Sequence, residues 1–156
     1  MDKPTIVVGV DGSPAGTAAL AWAVRQARTT GARVHAVSVC RVRPPAPGPN
    51  GPDAFLALHQ RELRAALDQV DTTGVEVEQS VPTGSVGPAL VELSTDAHRL
   101  VLGSHTYHHG PVFVVSPVVT HCLRHARCPV VVVPAEEDGD RLADGARLSA
   151  AAHEFR

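Results

Sequence analysis

With 156 residues, 44% of them hydrophobic, the chain can bury one substantial core and is too short for two comfortable domains. A net charge of −2, with 19% charged residues, supplies no basic field for nucleic acid or an anionic membrane, and three Phe, one Trp and one Tyr leave little for base stacking. Lys3 is the only lysine, which excludes a P-loop lysine or a buried Schiff-base lysine.

Met1-Asp2-Lys3-Pro4 leads directly into an apolar strand, without the charged-then-apolar pattern of a signal segment. No run approaches the roughly 18 apolar residues of a membrane helix. The expectation is a cytoplasmic protein with no membrane or nucleic-acid partner. Cys40, Cys122 and Cys128 are odd in number and lack close pairing, so they predict no disulfide framework; Cys122 and Cys128 read as buried helix and strand-edge residues.

In chain order, Thr5 to Val10 is a β-branched run, the mark of a parallel strand covered on both faces. Ser13-Pro14 then starts a helix, with serine as cap and proline at the first helical position, and Gly31 ends it. Arg33 to Val39 is the second strand. The proline-rich stretch 41–52 forbids regular structure and leaves the strand on the ligand side, either as a lid or as an insertion without a role. Asp53 is placed to cap a helix carrying Phe55, Leu56, Leu58, Leu63, Leu67 and Val70. Val75 to Val81 alternates as an edge strand does.

Val86 to Ala97 predicts the third helix, Leu100 to Gly103 the fourth strand, Pro117 to His125 the fourth helix and Val130 to Val133 the fifth strand. Between the fourth strand and fourth helix lies a loop holding His105, His108 and His109. Residues 135–156 are acidic, then alanine-rich, and read as a solvated, flexible tail, with or without a short helix, and residues 1–134 as the folded domain. Alternating strands and helices predict a parallel α/β sandwich with right-handed crossovers. Ligands of such sheets sit where strand carboxyl ends meet helix amino termini.

The opening Ile6-Val7-Val8-Gly9-Val10-Asp11-Gly12-Ser13, the segment Val81-Pro82-Thr83-Gly84, the run Leu100 to Ser104 and the closing His125 to Val133 together resemble the universal stress proteins. The resemblance spans roughly Lys3 to Pro134. It implies a three-layer α/β sandwich with a five-stranded parallel sheet in the order 3-2-1-4-5, of the adenine nucleotide alpha hydrolase-like kind. It also implies a homodimer formed by antiparallel pairing of the last strands, here Val130, Val131, Val132 and Val133; the other reading of that strand is an edge covered by its own chain.

Nucleotide-binding members of the family carry G-x2-G-x9-G-[ST] after the fourth strand. In this register Gly103 keeps the first glycine, Thr106 stands at the second, Ser116 at the third and Pro117 at the Ser/Thr position. Thr106 crowds the approach of a phosphate, and Pro117 lacks the N–H that would point at an anion. Ser116 is equally an ordinary helix cap, competing for the amides a phosphate would use.

The resemblance places Val10, Asp11, Val39, Leu102, Gly103, Thr106, Ser116, Pro117 and Val118 at an ATP or AMP site. Asp11 would meet the adenosine end, and the Val39 backbone the base. Asp11 as a turn residue and Val39 as a buried strand residue are the plainer readings. His105, His108 and His109 either dress an anion site that strengthens below about pH 6.5 or stand solvated in the loop. His121 and His125, one helical turn apart, have a spacing that suits a divalent ion, but no complete ligand set accompanies them.

No G-x-S-x-G, Walker lysine or G-x-G-x-x-G is present, so no enzyme is expected. A slow ATP hydrolase ranks a distant third, because no general base is identifiable beyond Asp11, and two functions stand ahead of it. One is a stress-response interaction protein with nucleotide binding weakened or lost, in which Val112 to Val115 fill the cleft or face a partner. The other is an adenine-nucleotide-binding regulatory module with a rebuilt, histidine-containing phosphate loop.

Overall fold

The computed structural model describes residues 3–41, 52–104, 107–109, 112–134 and 153–155. Strands β1 (Thr5–Gly9), β2 (Arg33–Val37), β3 (Val77–Ser80), β4 (Arg99–Ser104) and β7 (Val130–Pro134) form the parallel sheet, in the spatial order β3-β2-β1-β4-β7. This is the expected 3-2-1-4-5. Helices α1 (Pro14–Thr30), α2 (Pro52–Asp68), α3 (Val86–Leu93) and α4 (Pro117–His125) cover its two faces.

Strand periodicity sorts the core into two layers. Ile6, Val8 and Val10 face one cluster, with Ala19, Leu20, Val24 and Leu63 from α1 and α2. Val7 faces the other, with Leu90, Leu100, Val119 and Cys122 on the α3–α4 side. Both faces of β1 are therefore dry, which is why its sequence is a continuous apolar run.

Both serine–proline helix starts form as the sequence predicts. Ser13 accepts the Gly16 amide at 3.1 Å and Ser116 the Val119 amide at 3.2 Å, each with proline in the first turn. Gly31 closes α1 in the left-handed region, φ 75°. Helix α2 begins at Pro52, so Asp53 lies inside its first turn and is not its cap. Helix α3 stops at Leu93, short of Ala97. There Ser94 and Thr95 turn their hydroxyls onto the Val91 and Glu92 carbonyls, and backbone bonds of the 3₁₀ kind tighten the end.

Two elements differ from the sequence reading. Tyr107–His109 (β5) and Val112–Val114 (β6) pair antiparallel, so the expected open histidine loop is a hairpin with His108 opposite Phe113 and His109 opposite Val112. His153–Phe155 (β8) pairs antiparallel on β7, Val130 opposite Phe155 and Val132 opposite His153, so the end of the chain is an edge strand where a solvated tail was expected. His105, Thr106 and the loop 42–51 lie outside the described residues, as does 135–152 of the tail.

Burial, and secondarily Cys128, raise the Cys122 thiol to about 11. A raised pKa leaves little thiolate near neutrality. Cys122 is therefore expected to resist maleimide at pH 7.5 in the folded protein and to react on unfolding; peptide mapping reads the difference, and fast labelling of folded protein would contradict it.

Candidate functional site

A cavity of about 440 Å³ opens at the carboxyl ends of β1, β2 and β4, where the order of the sheet reverses. Val10, Asp11, Val39, Leu102, Gly103, Ser116, Pro117 and Val118 all line it, and Thr106 lies outside the described residues.

Beyond β2 the chain keeps a ladder to its outer neighbour. Ser38 N–H donates to the Ser80 carbonyl at 3.1 Å and Cys40 N–H to the Pro82 carbonyl at 2.8 Å. Strand alternation therefore turns the N–H and C=O of Val39 the other way, into the cavity. This polar backbone edge sits among apolar walls, including Leu90, Leu102 and Val119.

Asp11 leaves β1 at the cavity floor. Its Oδ1 accepts the Ser13 amide at 3.0 Å and the Ser13 hydroxyl, and Ser13 Oγ in turn accepts the Gly16 amide. The carboxylate folds back over the start of α1 because Gly16 has no side chain: a Cβ there would lie 2.6 Å from Oδ1. Asp11 is thus both the turn residue and a wall of the cavity.

Gly103, the surviving motif glycine, has a packing reason. A Cβ at this position would fall 2.5 Å from the Ala15 carbonyl carbon and oxygen. At the head of α4, Ser116 spends its oxygen on Val119, the Thr120 amide donates to the Ser116 carbonyl at 3.0 Å, and Pro117 has no N–H. Of the first-turn donors that an anion could use, Val118 remains.

Three polar residues of the cavity escape a sequence reading: Ser38, Arg41 and His59. His59 reaches the cleft from α2, across the proline-rich loop, so spacing alone cannot place it. Its Nδ1 lies 3.1 Å from Ser38 Oγ and 3.9 Å from Glu62 Oε2. Both partners approach the same ring nitrogen, so the trio is no nucleophile–base–acid relay, which needs one partner on each nitrogen.

The His121 ring lies tilted at 40° to that of His125, centroids 4.5 Å apart, and packs where Gly87 leaves room; a Cβ on Gly87 would be 2.8 Å from it. The missing side chain of Gly87 thus lets His121 of α4 lie close against α3. Among the described residues, no three His, Cys, Asp or Glu side chains converge as metal ligands. Among the same residues, no helix is long and apolar enough to cross a membrane.

The model of the universal stress protein family matches residues 4–134. A curated universal stress protein of Mycobacterium tuberculosis (strain H37Rv) is 35% identical over 136 residues, covering 86% of this chain and 49% of that protein. The chain spans about half the length of the curated relatives it matches. A crystal structure of a family protein from Burkholderia pseudomallei superposes with a TM-score of 0.66 at 29% identity, over 85% of this chain and 96% of that one. An Arabidopsis thaliana family protein with AMP bound superposes at 0.60 and 19% identity, over 86% and 94%.

Proposed function

The chain belongs to the universal stress protein family, and from that premise we propose a stress-response binding module whose cleft takes the adenosine half of an adenine nucleotide, with a weakened hold on phosphate and no turnover. One contrast within the cavity carries the reading. The base-and-sugar end is equipped and the phosphate end is turned inward. Adenine offers a donor and an acceptor on one edge, which the C=O and N–H of Val39 complement. A carboxylate such as Asp11 accepts from ribose hydroxyls. At the other end the Ser116 cap and Pro117 leave the α4 terminus short of donors. AMP bound to the Arabidopsis relative shows that the fold can hold such a ligand in that protein.

Calorimetric titration with adenosine, AMP and ATP tests this. Adenosine and ATP are expected to bind within about threefold of one another, a difference under 1 kcal/mol. Asp11→Ala is expected to weaken both about tenfold or more, since a hydrogen bond to a charged group contributes about 1.5–3 kcal/mol. ATP binding tenfold tighter than adenosine would restore the phosphate site, and no heat at millimolar adenosine would remove the ligand altogether.

The interaction side of the role is proposed to run through the β7 edge, Val130 to Val133, as the surface for a second copy. A four-valine edge would template another chain wherever it is uncovered.

A further inference from the structure

Strand β7 has two edges, and both are taken within one chain. On one side Leu100 to Ser104 of β4 pair in parallel with Val130 to Pro134. On the other, β8 pairs antiparallel with Val130, Val131 and Val132. A second copy of β7 could reach only that second edge, and it would have to arrive antiparallel, because a two-fold axis through paired strands reverses one against the other. It would therefore claim the same backbone donors and acceptors that β8 now holds. The two occupants exclude each other.

They are not equal in length. The chain's own strand covers three residues of β7, whereas a second β7 is five residues long and valine throughout except for its terminal proline. The short occupant is tethered to its site through residues 135–152, which favours it at low protein concentration; the longer occupant gains as concentration rises. We propose that β8 is a releasable guard of the β7 edge, so that self-assembly of this chain requires its C-terminal strand to leave. The inference rests on the reading of that edge as the assembly surface, and goes beyond it by naming what controls access.

Proline substitution in the full-length chain breaks β8 without touching β7, because proline brings no N–H to the ladder and resists strand pairing. In an antiparallel ladder the inward amides belong either to Glu154 or to its two neighbours. Glu154→Pro and the double variant His153→Pro/Phe155→Pro therefore cover both registers. Light scattering coupled to size exclusion, run over a micromolar dilution series, reads the assembly state. Hydrogen exchange on the wild type, taken at a concentration where it is monomeric, reads the edge directly and does not depend on how the variants fold.

The expected result is a wild-type monomer in which the β7 amides turned away from β4, those of Val130 and Val132, exchange slowly, and dimers for at least one of the proline variants at the same concentration. A wild type still dimeric at the lowest concentration of the series would overturn the guard while leaving the assembly surface standing. Variants that remain monomeric throughout would overturn the guard together with the assembly reading. Fast exchange at Val130 and Val132 in the wild-type monomer would show that β8 does not hold the edge and would overturn the proposal.

Discussion

Gly103→Ala is expected to destabilise the protein by about 2–3 kcal/mol, although it adds a single carbon. That carbon would lie 2.5 Å from the Ala15 carbonyl carbon and oxygen and 2.9 Å from its Cβ. Two of these are main-chain atoms in the first turn of α1, which cannot swing aside as a side-chain tip can. Relief requires β4 and α1 to separate where they pack, and Ala15 itself is buried. At about 2–4 °C per kcal/mol for a chain of this size, the melting temperature should fall by about 4–12 °C. Urea unfolding should show a lower midpoint with an unchanged slope. An alanine variant as stable as the wild type would mean that α1 moves away at no cost, and the glycine would then need a ligand to explain it.

The second large effect belongs to Leu90. It is 1% exposed, packs in the α3–α4 layer with Val7, Leu100 and Val119, and forms part of the cavity wall. Leu90→Ala removes buried carbon and leaves a space the sheet cannot close, at a cost of about 2–5 kcal/mol. Leu93, one turn on in the same helix, is 38% exposed. Leu93→Ala should stay under about 1 kcal/mol, since surface substitutions lie near zero. Because the pair shares helix, residue type and mutation, the difference isolates burial. Equal losses would place the α3–sheet contact elsewhere.

The layered fold was legible because its signals are long. The β-branched runs at Thr5 to Val10 and Val130 to Val133 each carry four or more residues of one character, and both serine–proline starts combine a side-chain cap with a preset φ. Strand order came with the resemblance. The hairpin β5–β6 and strand β8 escaped because three residues hold too little periodicity to register, and partner strands supply what the local sequence does not. Helix α3 ends before its apolar spacing does, because Ala97 keeps that spacing while Ser94 and Thr95 end the hydrogen bonding.

In the cavity the residues of strand ends were readable, since a strand's carboxyl end points to the cleft. Asp11 and Val39 are such cases. Ser38 and His59 were not: their contact joins β2's extension to α2 across the proline-rich loop, a juxtaposition set by tertiary packing. Gly103 lines the cavity, but the sequence offers no view of Ala15, and so no means of separating a packing glycine from a phosphate glycine.

The sorting of β1 between two layers implies a particular fragility. Substitutions along Ile6, Val7 and Val8 lose packing one position at a time, each within its own layer. A one-residue insertion or deletion ahead of Val10 acts differently, because it exchanges the two sets at a stroke and carries Asp11 out of phase with the start of α1. What β1 enforces most strictly is therefore the count of its residues: the strand works as a ruler between the chain's beginning and its cleft, tolerant of respelling and intolerant of slippage.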